Sequence, residues 1–321
     1  MQILGSIFYI LFFVSVIGSF FTVLSLFVTH VLHITLPLWF SLFGMIFFCF
    51  PFLSPDVFLF SPEPQEWLDG FSISCLLWVC GCVVFLVCDV IRSALAKQAV
   101  KNYHLCNDTR ISELCSRCAA TLGLKKTPAL YWGTLDQPVC VAGIIRPVII
   151  MNQSVITQLN DKELSAVFFH ELTHIMRKHI LLERIYDYVC ILHWFNPFSW
   201  LAKKDFSLHC ETDCDDNAIR ASQGKLTKTE YASAMIRLLE LSSVSTVKSG
   251  KEIGALSFLL TKRRIKRITG KISKTRDRWI SVALAVLLVL TAAFSMNFSR
   301  EHFYPYPAYQ TGPEYSTGYD R

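Results

Sequence analysis

The stretch that most constrains this chain is 166–176, where His170-Glu171-Leu172-Thr173-His174 stands inside an apolar run from Ala166 to Met176. On a helix His170 and His174 lie about 40° apart around the axis and one turn apart along it. Both imidazoles then leave one face and can hold one zinc ion. Glu171 lies about 100° around from His170, where its carboxylate reaches water polarised by the metal without ligating the metal. Zinc lowers the pKa of such a water towards ~7, and a carboxylate beside it takes the proton. Phe168 and Phe169 precede the motif and Ile175 and Met176 follow it, which predicts a mostly buried helix. Two histidines and a glutamate on a buried helix are costly without a shared ligand. The motif therefore predicts an HExxH zinc peptidase, with His170 and His174 as ligands and Glu171 as general base.

The surrounding composition is that of a membrane protein. Of 321 residues, 52% are hydrophobic and only 17% charged, against about 25% charged in soluble domains. No Lys or Arg precedes Arg92, and 29 of the 31 fall between Arg92 and Arg278. The positive-inside rule explains that clustering and places the basic middle in the cytoplasm; direct nucleic-acid binding is not expected. Of the twelve cysteines, Cys49, Cys75, Cys80, Cys82 and Cys88 lie in apolar runs and read as small core hydrophobes. Cys115 and Cys118 form a CxxC with no second CxxC at zinc-ribbon spacing, a weak signal for metal or redox chemistry.

Taken in order, Ile3 to Val28 is long enough for a first span and Leu36 to Leu53 just long enough for a second. His30 and His33 fall in the connection between them and read as interfacial. An acidic, proline-rich connector with Asp56, Glu63, Glu66 and Asp69 suits the external side, and Phe71 to Val90 is a third span. Residues 99–277 make a domain of mixed polarity. Ile111 to Leu122 reads as an amphipathic helix ended by Gly123. Ala129–Trp132, Val139–Val141 and Val148–Met151 read as short strands, the last two a hairpin across Gly143 and Pro147. Such an edge can hold a substrate backbone above a metal.

Asn160 or Asp161 caps the motif helix, with Glu163 three residues after Asn160, and the helix is expected to run to about His179. Asn196-Pro197 starts a second helix, to about Ala221. Ile185 to Ala202 is apolar but interrupted by Asp187, His193, Asn196 and Pro197, and is expected to be buried or at the membrane surface. Leu226 to Leu241 is a further helix, followed by a Ser/Gly/Lys-rich linker from Ser242 to Gly254. The basic run Lys262 to Arg267 is expected to meet anionic headgroups. Trp279 to Phe298 is a fourth span, and the Tyr/Pro/Gly-rich residues after it an external tail.

A catalytic zinc takes three protein ligands and keeps one position open. On a continuous helix His179 lies about 180° from His170 and points away, as does Glu183. His209 and Glu211, on the helix after Pro197, remain as candidates for the third ligand.

HELTHIMRKH, then LHWFNPFSWLAKKD, then Glu211-Thr212-Asp213-Cys214-Asp215 resembles the integral membrane zinc metallopeptidases of the BlaR/MecR sensor-transducer type. The similarity also takes in Gln137 to Ile149 and covers most of residues 99–277. The resemblance implies that Glu211, in the ExxCD motif, is the third zinc ligand, that Asp215 orients a ligand histidine, and that His209 is a neighbour. It implies a winged-helix repressor as the protein removed, hence regulation of antibiotic resistance. It also implies self-cleavage between the zinc domain and the last span, at Ser257-Phe258. The family's C-terminal penicillin-binding sensor domain is not expected here, because few residues follow Phe298.

The expectation is thus a mainly α membrane protein of the bacterial plasma membrane, multi-pass, with both termini external. Residues 1–98 supply three transmembrane helices, 99–277 a cytoplasmic gluzincin-like zinc peptidase domain with a small β element, 278–298 the fourth helix and 299–321 a short tail. The cofactor is Zn2+, and the partners are a protein substrate and membrane lipid; the oligomeric state stays open. The competing readings are a CAAX/HtpX-type quality-control protease, in which Gly would stand at Thr173 and ExxAD would replace ExxCD, and a non-proteolytic signalling scaffold.

Overall fold

The computed structural model describes residues 2–30, 36–53, 65–101, 103–134, 137–224 and 226–248, together with 264, 265, 268, 269, 279, 280, 282, 283 and 286. The chain divides into two compact units, Met1–Lys274 and Thr275–Arg321. In the second, the described residues are helical. The first is mainly helical with one small sheet.

Three apolar helices open it: α1 (Gln2–His30), α2 (Leu38–Leu53) and α3 (Gln65–Lys101). Reciprocal glycine–phenylalanine pairs join α1 to α2. A Cβ on Gly18 would lie 2.5 Å from the Phe48 ring, and one on Gly44 2.3 Å from Phe21, so each glycine makes room for the other helix's ring. Over Ile73–Gln98, α3 is long and apolar enough to cross a membrane. Its outward side chains, among them Ile73, Leu77, Val84 and Leu95, are exposed. The helix starts earlier than the third span expected from Phe71, and takes in Glu66 and Asp69 from the acidic connector.

The sheet has the order β1-β2-β4-β3. β2 (Ala129–Trp132), β3 (Val139–Ala142) and β4 (Val148–Met151) fall where the sequence places strands; β1 (His104–Leu105) is an addition. β3 and β4 pair antiparallel, while β2 and β4 run parallel. The hairpin turns at Gly143, whose φ of +90° favours glycine. α4 (Thr109–Thr121), capped by Asp108, follows β1. Its Cys115 and Cys118 are buried in the core, and burial pushes the Cys115 thiol up to about 12. The CxxC is therefore packing.

The motif helix, α6 (Asp161–Met176), follows a single-turn α5 (Gln153–Ile156). Its Asn160–Glu163 capping box is present in full. Leu164, Ala166 to His170, Leu172 and Thr173 are all buried. α6 packs against α4, β3, α8 (Pro197–Ala221) and α9 (Lys228–Lys248). It ends three residues sooner than expected, because Lys178 adopts the left-handed conformation at φ 56° and redirects the chain into α7 (His179–Leu192). α9 runs on through Ser242 to Lys248, where the sequence had suggested a linker.

The interrupted segment Ile185 to Ala202 packs against α1, α2 and α3, with Ile185, Tyr188 and Leu201 exposed, and His193 and Asn196 lie at the seam. Asn196 caps α8 through Phe198 N–H and donates its amide to Ser15 Oγ at 2.6 Å and Ser19 Oγ at 2.7 Å. His193 Nε2 meets Phe48 O at 3.1 Å, and Trp78 Nε1 donates to Leu192 O at 2.7 Å. Gly81 admits Trp194, whose Cε2 would lie 2.2 Å from an added Cβ. Arg184 pairs with buried Asp89 at 2.7 Å. The N-terminal helices thereby fix the start of α8, the helix that carries Glu211. Residues 54–64 of the acidic connector, Ser257 and Phe258 of the expected self-cleavage site, most of the expected fourth span and the expected tail lie outside the described residues.

Candidate metal centre

α6 and α8 cross with His170, His174 and Glu211 facing one another. His170 Nε2 and His174 Nε2 are 3.3 Å apart. Glu211 Oε2 is 3.3 Å from His170 Nε2, and Oε1 is 3.5 Å from His174 Nε2. A tetrahedral zinc with bonds of about 2.0–2.2 Å sets its ligand atoms roughly 3.3–3.6 Å apart. The donor set and its spacing therefore fit a zinc ion. Cys214 Sγ also lies within 4.8 Å of donor atoms of His170 and His174. It also lies 3.4 Å from His179 Nδ1.

A second layer stands behind His170. Its Nδ1 is 3.2 Å from Asp215 Oδ1 and 3.0 Å from Tyr231 Oη, and Tyr231 donates to the same Asp215 oxygen at 2.9 Å. Arg264 then spans the two carboxylates. Its Nη1 is 2.7 Å from Glu211 Oε2, and it holds Asp215 with Nη2 at 2.7 Å and Nε at 2.9 Å. This residue of the basic run points inward, against the expectation that the run faces lipid headgroups.

The electrostatics follow from this crowding. Burial alone would raise Glu211, yet the bond and charge of His170 and the charge of Arg264 bring it down to about 2. Asp215 is held well below the carboxylate range, its burial outweighed by His170 and Arg264. Burial works against a charge on His170 too, but its bonds to Asp215 and Glu211 raise it to about 10. Burial, then the charge of His170, lower His174 to about 3. Burial pushes Glu171 up to about 7, close to the optimum for a group that takes and returns protons at neutral pH.

The remaining predicted residues divide clearly. His209 does not join the cluster: its Nδ1 lies 2.8 Å from Asp205 O and 3.0 Å from Ser41 Oγ of α2. Glu183 accepts from Ser207 Oγ at 3.0 Å. His179, expected to point away on a continuous helix, instead lies 3.3 Å from His174, Nδ1 to Nδ1, because the helix breaks at Lys178. Sequence reasoning missed Arg264 and Tyr231. The only local signal for Tyr231 is its place early in α9, behind the Thr227–Glu230 cap.

Two imidazoles and a carboxylate turned to one point in a helical protein make a donor set that could hold a metal ion. The family model described as BlaR1 peptidase M56 matches residues 61–268, and the chain belongs to that peptidase family. It is 24% identical over 241 residues to Regulatory protein BlaR1 of Bacillus licheniformis, covering 71% of this chain and 40% of that protein. The methicillin resistance mecR1 proteins of Staphylococcus aureus and Staphylococcus epidermidis are each 26% identical over 153 residues, 45% of this chain and 25% of theirs. The chain thus spans two-fifths or less of the length of these relatives.

Removing one member of a buried ion pair strands the other. Asp215→Ala leaves the Arg264 guanidinium with Glu211 alone and is expected to destabilise the detergent-solubilised protein by about 3–5 kcal/mol. Asp161→Ala removes an exposed partner of Arg110 and should cost less than about 1 kcal/mol. Denaturant midpoints compare the two; equal shifts would contradict the arrangement around Arg264.

Proposed function

We propose that this chain is a membrane-embedded zinc endopeptidase whose site faces the cytoplasm, and that it relieves a winged-helix transcriptional repressor by regulated proteolysis. The observation that carries the reading is the 3.3–3.5 Å clustering of His170 Nε2, His174 Nε2 and the Glu211 carboxylate beside a glutamate with a raised pKa. Membership in the BlaR1 peptidase family supports it over a CAAX/HtpX-type protease, and the names of the relatives support a signalling role. An intact His-Glu-His set speaks against a scaffold without activity.

In this reading His170, His174 and Glu211 hold the zinc. Glu211 is preferred to Cys214 because its oxygens lie 3.3 and 3.5 Å from the two Nε2 atoms, whereas the Cys214 thiol lies 3.4 Å from His179 Nδ1. When bound, zinc supplies a Lewis acid for a peptide carbonyl and for the attacking water. Glu171 takes the water's proton and returns it to the leaving amine. Asp215 and Tyr231 fix the ring of His170. Among the described residues β3 pairs only with β4, and it packs on α6. Its open edge can take a substrate backbone as an added strand.

The same reading has three spans before the peptidase domain and a fourth over Trp279 to Phe298, with both termini external and membrane lipid around α3. The motive is the absence of Lys and Arg before Arg92. Self-cleavage at Ser257-Phe258 belongs to the same reading.

His170→Ala and Glu211→Ala should each empty the site of zinc, while His209→Ala keeps it. Glu171→Gln should retain zinc and lose cleavage of both a casein-like substrate and the chain itself. Metal content by elemental analysis and fragment masses read these outcomes; loss of zinc in His209→Ala but not in Glu211→Ala would overturn the ligand set. Reporter fusions after Lys101 and after Arg300 are expected on opposite sides of the membrane, and matching sides would contradict the four-span arrangement.

A further inference from the structure

The helix break at Lys178 has a chemical consequence. A left-handed conformation is unfavourable for a residue with a Cβ, and Lys178 holds it at φ 56° and ψ 34°. The break returns His179, the first residue of α7, to the side of His174. The two rings stand nearly perpendicular, 83° apart, with centroids at 5.1 Å and Nδ1 atoms at 3.3 Å. His179 is fully buried at 0% exposure. Its Nε2 has no hydrogen-bond partner and lies 3.6 Å from Asp213 Oδ2, which is itself ion-paired with Arg177 Nε at 3.3 Å. Buried orphan groups of this kind are rare and call for an explanation.

Tautomer bookkeeping supplies one. A neutral imidazole carries one N–H and one lone pair. If His174 is to offer its Nε2 lone pair to a metal, its proton must sit on Nδ1, facing His179 Nδ1. His179 then accepts at Nδ1 from His174, the nearer group there at 3.3 Å with Cys214 Sγ at 3.4 Å, and carries its own proton on Nε2, which faces Asp213. The reverse assignment puts a proton on His174 Nε2 and closes the site. His170 has a matching support, since its Nδ1 faces Asp215 directly. The two ligand histidines are thus backed by two carboxylates of α8, one directly and one through a second imidazole.

We propose that His179 is a positioning residue of the metal centre: it accepts the Nδ1 proton of His174, is held from behind by Asp213, and so presents His174 Nε2 to the metal. The inference rests on the zinc reading above. It gives the break at Lys178 a role, and it gives the orphan Nε2 of His179 a partner in Asp213.

The test uses the full chain in detergent, with His179→Leu and His179→Asn. An asparagine amide oxygen can still accept from His174; leucine fills the space and cannot. Outer partners of metal-ligating histidines are worth about 10–100-fold in metal affinity. Zinc affinity, measured by competition with a chelator, is expected to fall by about that factor in His179→Leu and to be largely retained in His179→Asn. The cobalt-substituted protein should show a shifted visible absorption for leucine and not for asparagine. Asp213→Ala is expected to weaken zinc in the same direction, and serves where His179→Leu fails to fold. Thermal unfolding of the metal-free proteins separates packing from positioning, because a packing role makes leucine the better tolerated variant in every readout. A wild type that takes up no metal overturns the metal site itself. A wild type that binds zinc beside a His179→Leu variant of equal affinity and spectrum overturns only the role of His179.

Discussion

Three donor groups drawn within 3.5 Å of one another inside a protein form the constraint on which the rest of this structure depends. Imidazole nitrogens and a carboxylate do not gather in a buried place by themselves, because each loses hydration there. The molecule offsets that cost with fixed partners. Asp215 and Tyr231 take the outer nitrogen of His170, and Arg264 neutralises Glu211 and Asp215 together. Most of the polar residues around the site have a role in holding the donors at this spacing.

The spacing also depends on the crossing of α6 and α8, and α8 is fixed from two sides. One side packs on the motif helix. The other is tied to the apolar helices through Asn196, His209 and Asp205, which bond to Ser15, Ser41 and Ser25. Polar seams within an otherwise apolar contact specify register more than they add stability. A shift of α1 or α2 would reach Glu211 through α8, which both helices contact.

Much of this was legible in the sequence because it is local. The HELTH spacing, the Asn160–Glu163 box, the Asn196-Pro197 start and the Gly143 turn each depend on residues within a few positions of one another, and each stands where it was read. The motif of Glu211 and Asp215 was legible only through the family resemblance. The rest depends on contacts the chain makes with distant parts of itself. Lys178 takes a conformation that composition assigns to glycine or asparagine, so the helix appeared continuous and His179 was sent the wrong way. Arg264 stands in a run of like charges that reads as a headgroup patch; its inward turn depends on carboxylates on a helix far earlier in the chain. Tyr231 reads as one more aromatic on an amphipathic helix.

The central claim is that a carboxylate, not a thiol, completes the metal centre. Zinc-edge X-ray absorption on the purified full chain addresses this directly, since oxygen or nitrogen ligands lie at about 2.0–2.2 Å and sulfur at about 2.3 Å. The account predicts imidazole scattering from two histidines with light atoms filling the remaining shell. A sulfur shell would place Cys214 on the metal and contradict the assignment of Glu211.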